Sequence, residues 1–199
     1  MKNLIKATLL LMTVTMLFAT LPTDAEAEIY QDTVRLHILA NSDSNEDQAL
    51  KLEIRDKILL EYGEILRAAG SYEKAKETVG TLLPEIEKTG EFWIQELGYS
   101  YDVKAILTEE WYETREYDDF RLPCGIYTSL KIIIGEGEGK NWWCVMYPPL
   151  CTELSCENAA SDDAVIDYTK EEVFLIKSKK YNIKFKVLED LSRVFTKNG

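Results

Sequence analysis

Histidine is almost missing from this 199-residue chain, which holds only His37. Its four cysteines include no Cys-x-x-Cys pair, so the ligand spacing of a zinc site is lacking as well. Positive charge is scarce: 23 Lys and Arg stand against 35 Asp and Glu, a net charge of −12. An acidic surface repels phosphate backbones and anionic lipid, which argues against nucleic acid and the membrane surface as partners. No apolar run reaches the ~20 residues that cross a bilayer comfortably. There is no internal repeat and no low-complexity linker. Cysteine is confined to the second half, as Cys124, Cys144, Cys151 and Cys156.

What is present at the start has the order of a secretory signal. Lys2 and Lys6 open it, Ala7 to Ala19 is uncharged and mostly apolar, Pro22 breaks the run, and Ala25-Glu26-Ala27 offers small residues to a peptidase. Cleavage is expected before Glu28; the other reading of residues 1–27 is a short membrane anchor that stays uncleaved. Their removal takes two lysines and two acids and leaves the net charge unchanged. Residues 28–199 are then expected to form a single extracytoplasmic domain, long enough to bury a core. In an exported chain an even cysteine count predicts disulfides; four cysteines allow three connectivities.

Along the chain, Val34 to Ala40 alternates as a strand, with Arg35, His37 and Leu39 on one face and Val34, Leu36, Ile38 and Ala40 on the other. Asn41-Ser42-Asp43-Ser44 supplies helix caps, and Asp43 as the N-cap would place Glu46 at the third helical position. Apolar residues at Leu50, Ile54, Ile58, Ile65 and Ala69 predict a helix closed by Gly70. Ser71 begins a second helix, and Pro84 fits the first turn of a third that runs to about Leu97. The period then changes to two over Tyr101–Leu107, Trp111–Tyr117 and Ile126–Ile134. Gly135-Glu136-Gly137-Glu138-Gly139 and a returning strand, Asn141–Tyr147, read as a hairpin. Residues 152–168 read as a loop, Thr169 as the cap of a short helix, Tyr181–Val187 as a further strand, and Leu191 to Phe195 as a terminal helix. The fold class expected is α+β: a single domain with an N-terminal strand and helices, followed by a mainly antiparallel β-sheet region.

Three stretches carry a resemblance. They are Arg35-Leu36-His37-Ile38-Leu39-Ala40-Asn41-Ser42-Asp43 continuing through Asp47-Gln48-Ala49-Leu50-Lys51 to Arg55-Asp56; Leu122-Pro123-Cys124-Gly125-Ile126-Tyr127; and Gly135 to Val145 ending in Pro148-Pro149-Leu150-Cys151. Together they resemble the stage II sporulation protein R family of spore-forming bacteria, over most of the chain after residue 27 and weakly after Cys156. Cys124 and Cys156 depart from the shared pattern. The resemblance implies a non-enzymatic messenger, exported from the forespore into the space between the forespore and mother-cell membranes. There it would activate a membrane-embedded aspartic-type protease that processes the sigma-E precursor. It implies no cofactor and no catalytic residue, and membrane contact only through the receptor or an uncleaved anchor.

The candidate residues divide between scaffold and receptor contact. The glycine loop is not a phosphate cradle by sequence: Lys140 is followed by Asn141 rather than Ser or Thr, and Glu136 and Glu138 repel phosphate. The ligand spacing of an EF-hand is absent. The loop reads first as a tight acidic turn and second as a receptor-contact surface. Trp142 and Trp143 are adjacent in a strand and so point to opposite faces, one to anchor the core and the other to cover a second layer or stand as a candidate receptor contact. His37, Asn41 and Asp43 are candidates for capping or receptor contact, and Asn141 for receptor contact. Pro148-Pro149 can fold the chain back and join Cys144 to Cys151, leaving Cys124 with Cys156. A rival reading is an exported cysteine hydrolase using Cys144 or Cys151 with His37; a third is a calcium- or glycan-binding wall module.

Overall fold

The structure, a computed structural model, describes residues 2–19, 29–116 and 121–148. The first strand, β1 (Val34–Leu39), has every residue but the last buried. A strand covered on both faces and both edges needs two neighbours, and it has them. It pairs parallel with β5 (Gly125–Ile134) and antiparallel with β6 (Asn141–Tyr147). β5 pairs antiparallel on its other side with β2 (Val103–Tyr112), which completes a four-stranded mixed sheet in the order β2-β5-β1-β6. Two-residue strands β3 (Arg115–Glu116) and β4 (Arg121–Leu122) form a separate ladder between β2 and β5. The α+β class read from the sequence holds. The expected hairpin does not: β1 lies between β5 and β6, and the glycine-rich link passes over the end of β1.

Two long helices cover one face of the sheet. The chain after β1 enters α2 (Asn45–Arg67), whose buried residues include Leu50, Ile54, Ile58, Tyr62 and Leu66 at helical spacing. Its N-cap is Ser44, whose hydroxyl accepts the Asp47 N–H at 3.1 Å. Asp43, the cap expected from sequence, has its carboxylate engaged instead by the Lys140 N–H at 2.7 Å. Gly70, at φ 68°, turns the chain into α3 (Tyr72–Glu96). This is one helix and not two, with Pro84 inside it. Proline removes the N–H that would reach the Gly80 carbonyl and crowds that turn. Burial of Val79 on one side of it and Ile86 on the other holds the helix together.

The core sits between these helices and one face of the sheet. Val34, Leu36 and Ile38 of β1 and Leu130, Ile132 and Ile134 of β5 meet Ile54, Ile58, Val79, Ile86 and Ile94. Each such aliphatic side chain contributes about 1.5–3 kcal/mol by leaving water. Gly90 is demanded by close approach, because a Cβ there would meet the Val103 side chain at 2.9 Å. Before the body, α1 (Lys2–Ala19) exposes Leu4, Leu9, Leu10 and Leu11. Among the described residues no helix is long and apolar enough to cross a membrane. The expected cleavage site before Glu28, the loop over 152–168, and the elements expected near Thr169, Tyr181–Val187 and Leu191 to Phe195 lie outside the described residues.

Pro84 is exposed, so its replacement removes a helix-breaking ring without opening a cavity. Pro84→Ala is expected to stabilise the protein by about 1–3 kcal/mol, a gain read as a higher urea midpoint. A midpoint that stays put or falls would contradict this account of the helix.

Candidate functional site

Of the residues singled out in the sequence, Asn41, Asp43, Glu136 and Glu138 meet at the end of β1, where two segments far apart in the chain close on each other. The Gly135–Lys140 loop lies against the Ala40–Ser44 turn. Every backbone N–H of the loop has a named acceptor. Gly135 donates to the Asp102 carbonyl and Gly137 to that of Ile134; Glu138 and Gly139 donate to the carbonyls of Asn41 and Ala40 at 3.2 and 2.9 Å. Glu136 donates to Asn41 Oδ1 at 3.1 Å and Lys140 to Asp43 Oδ1 at 2.7 Å. The phosphate-cradle reading is thereby closed on structural grounds, since such a cradle needs backbone donors turned toward its ligand. The glycines are required by space. A Cβ at Gly135 would strike the Asn41 side chain, and one at Gly139 the Ser42 carbonyl; Gly135 and Gly137 also adopt positive φ. Glu136 and Glu138 stand exposed at the tip.

The other half of this clasp is anchored by Asp47, which is buried. Its Oδ2 accepts from Ser42 Oγ at 2.6 Å and from Asn41 Nδ2 at 2.9 Å. These bonds, that of Ser42 first and then that of Asn41, hold its carboxyl below the usual value against the opposing effect of burial. Lys51 ties the helix to the loop, donating to the Lys140 carbonyl at 2.8 Å and to Gln48 Oε1 at 2.7 Å. Burial pushes its ammonium pKa down, while Asp43 pulls it back up.

On the sheet face away from the helices, a polar chain crosses all four strands. Lys131 Nζ of β5 meets Glu110 Oε1 of β2 at 2.8 Å, and Glu110 Oε2 meets His37 Nδ1 of β1 at 2.9 Å. His37 Nε2 then meets Asn141 Oδ1 of β6 at 2.8 Å. A carboxylate only accepts, so Nδ1 carries a proton; Nε2 either donates to the Asn141 oxygen or accepts from its amide when that group is turned. The Trp143 ring stacks on the imidazole, with centroids 3.7 Å apart and planes at 19°. Burial raises the Glu110 carboxyl, but the hydrogen bonds from His37 and Lys131 and their charges outweigh it, and its pKa falls to about 2. Next along this face, the fully buried Arg35 lies 4.3 Å from the Tyr112 ring centroid and 5.0 Å from that of Tyr127, and Arg35 Nε donates to the Cys144 carbonyl at 2.9 Å.

The tryptophans do point to opposite faces: Trp143 stacks on His37, while Trp142 joins the helix-side core with the Arg55 guanidinium 4.4 Å from its ring. Cys144 is paired in register with Leu36, not His37, and lies buried on the helix side. The sheet separates it from the imidazole, whose two nitrogens are both engaged. The Cys144 form of the hydrolase reading is therefore corrected: among the described residues no thiol stands against His37. Cys151 and Cys156 lie outside the described residues, and with them both expected pairings; Cys124 is buried beside β4. Sequence reading missed Glu110 and Lys131 as partners of His37. Strand alternation alone places them on one face, but the order of strands that brings them together has no local signature.

Two outcomes follow from this geometry. Gly139→Ala should cost about 1–3 kcal/mol, the usual range for overpacking, because the Ser42 carbonyl is backbone and cannot swing aside; an unchanged melting temperature would contradict the clasp. For Glu110, the folded pKa lies below the ordinary 4.5, so its contribution to stability is full above about pH 4.5 and is lost as pH falls toward about 2. Glu110→Gln should flatten the acid limb of the stability curve in that window, as urea titrations at successive pH values would record.

Comparison with known proteins places the clasp and the polar chain inside one matched region. A family model described as stage II sporulation protein R matches residues 30–156. A protein of Bacillus subtilis (strain 168) named stage II sporulation protein R is 36% identical over 123 residues, 62% of this chain and 55% of that relative. The match thus spans little more than half the relative's length. No solved structure matches the chain.

Proposed function

The chain belongs to the stage II sporulation protein R family, and on that premise we propose that it is an exported sporulation signal that works by contact. In this reading it leaves the forespore through the segment at residues 1–27 and reaches the space between the two membranes. There it binds a membrane-embedded aspartic-type protease and turns on cleavage of the sigma-E precursor. The observation that carries the reading is the family match, which runs through all the residues of the clasp. Two others favour it over a hydrolase: His37 is held on both nitrogens, and Cys144 lies across the sheet from it. A rigid, fully hydrogen-bonded turn is suited to presenting a surface and poorly suited to binding an anion.

Activation by a ligand requires a difference in affinity: the signal binds the active protease better than the inactive form, or holds two protease chains together. A disulfide between Cys144 and Cys151 belongs to the same proposal, since the chain would function in a compartment where thiols can be oxidised.

The test is genetic and biochemical together. Sporulating cells lacking this protein should retain the protease yet accumulate uncut sigma-E precursor, scored by immunoblot. Normal processing in its absence would refute the signalling role. His37→Ala, if it folds, should still signal; complete loss of signalling by a folded variant would revive the enzymatic alternative.

A further inference from the structure

Among the described residues β2 is an outer strand of the sheet, so one side of its backbone has no ladder partner there. Its two halves differ. Along the first half runs α3, with Gly90 against Val103 and Gly80 against Leu107. There Glu87 Oε1 accepts the Ala105 N–H at 2.9 Å, so the helix itself satisfies that stretch of the edge. The same bond fixes which residues look outward. In an antiparallel ladder alternate residues turn both N–H and C=O away from the neighbour, and the register of Val103–Tyr112 against β5 runs without a bulge. The N–H and C=O of Leu107, Glu109 and Trp111 therefore point off the sheet, and among the described residues nothing pairs with them.

Beside this open stretch stands an apolar pair. Trp111 and Ile126 face each other in register and are 36% and 57% exposed. They lie just past the start of α3, whose first residue, Tyr72, bonds Thr128 through its hydroxyl at 2.7 Å. Glu109, opposite Thr128, is exposed between the apolar pair and the helix.

We infer that Leu107–Trp111 is a strand-addition site for an extended, basic segment of a second protein. Such a segment pairs with the open edge, sets an apolar side chain on Trp111 and Ile126, and brings a Lys or Arg to Glu109. Main-chain bonds then supply affinity, and the apolar and acidic positions supply selectivity. A second copy of this chain fits poorly. Antiparallel pairing of two such stretches puts Glu109 directly opposite Glu109, and like charges so placed are destabilising. Each copy also carries the full net charge of −12. Sliding the register toward Ala105 runs into α3. A basic segment meets neither obstacle. The inference rests on the signalling reading and names how the receptor is held.

The test uses the full chain, expressed in sporulating cells that lack their own copy. Glu109→Pro removes one outward N–H and no ladder bond, which an edge strand tolerates; Glu109→Lys reverses the charge; Trp111→Ser and Ile126→Ser remove the apolar pair. Each should lower precursor processing by about tenfold or more, the loss expected from roughly one well-placed contact, with melting temperatures close to that of the parent. Leu60→Ser, at a 67% exposed position on α2, should leave processing unchanged. Folded Glu109→Pro and Glu109→Lys variants that signal like the parent would overturn the site while leaving the signalling role intact. Should Glu109→Pro fail to fold, Glu109→Lys decides. A parent that sediments as a dimer dissociated by Glu109→Lys would replace the basic partner with a second copy, and so overturn the inference.

Discussion

The position of β1 between β5 and β6 constrains the rest of the molecule. Its six residues bury one face against helices and the other against a polar and aromatic layer, and both edges are hydrogen-bonded. Leu36 and Ile38 can serve the core only because Arg35 and His37 find partners on the opposite side. Arg35 does so against two tyrosine rings and the Cys144 carbonyl, and His37 against Glu110 and Asn141. A cation and an imidazole under a sheet are tolerable only when so accommodated, because burial without partners costs several kcal/mol.

The glycine-rich loop follows from that placement. With β1 in the middle, the chain leaving β5 must pass over the end of β1 to reach β6. It does so in close contact with the turn that leads β1 into α2. Small residues let the backbones approach, Asn41 and Asp43 accept from the loop N–H groups, and Asp47 in turn holds Asn41 in place. The first and third of the stretches that suggested the family are therefore two sides of one contact. The acidic residues of the tip are left to solvent, and the stretch of β2 edge that has no partner among the described residues lies elsewhere.

Much of this was legible in the sequence, and the failures have physical causes. Helical spacing marked Leu50, Ile54 and Ile58, and alternation marked β1, β5 and β6 and put Trp142 and Trp143 on opposite faces. Pro84 misled because a local signal for a helix start was outweighed by burial on both sides of it, as tertiary packing routinely outweighs propensity. The hairpin misled for a related reason: two alternating runs joined by glycines look the same whether they pair directly or admit a third strand. Asp43 was passed over as a cap because a distant N–H reached it first. The partners of His37 were invisible for want of the strand order, since Glu110 belongs to a strand two places away.

That strand order also governs how the chain comes together. Val34 pairs with Thr128 and with Tyr147, so β1 waits for β5 and β6 before its edges are closed. The two helices can associate as a local hairpin, but the sheet closes only through contacts of long sequence separation, which slows assembly. A ribosome releasing this polypeptide from its amino end would hold an unfinished sheet until Tyr147 had emerged.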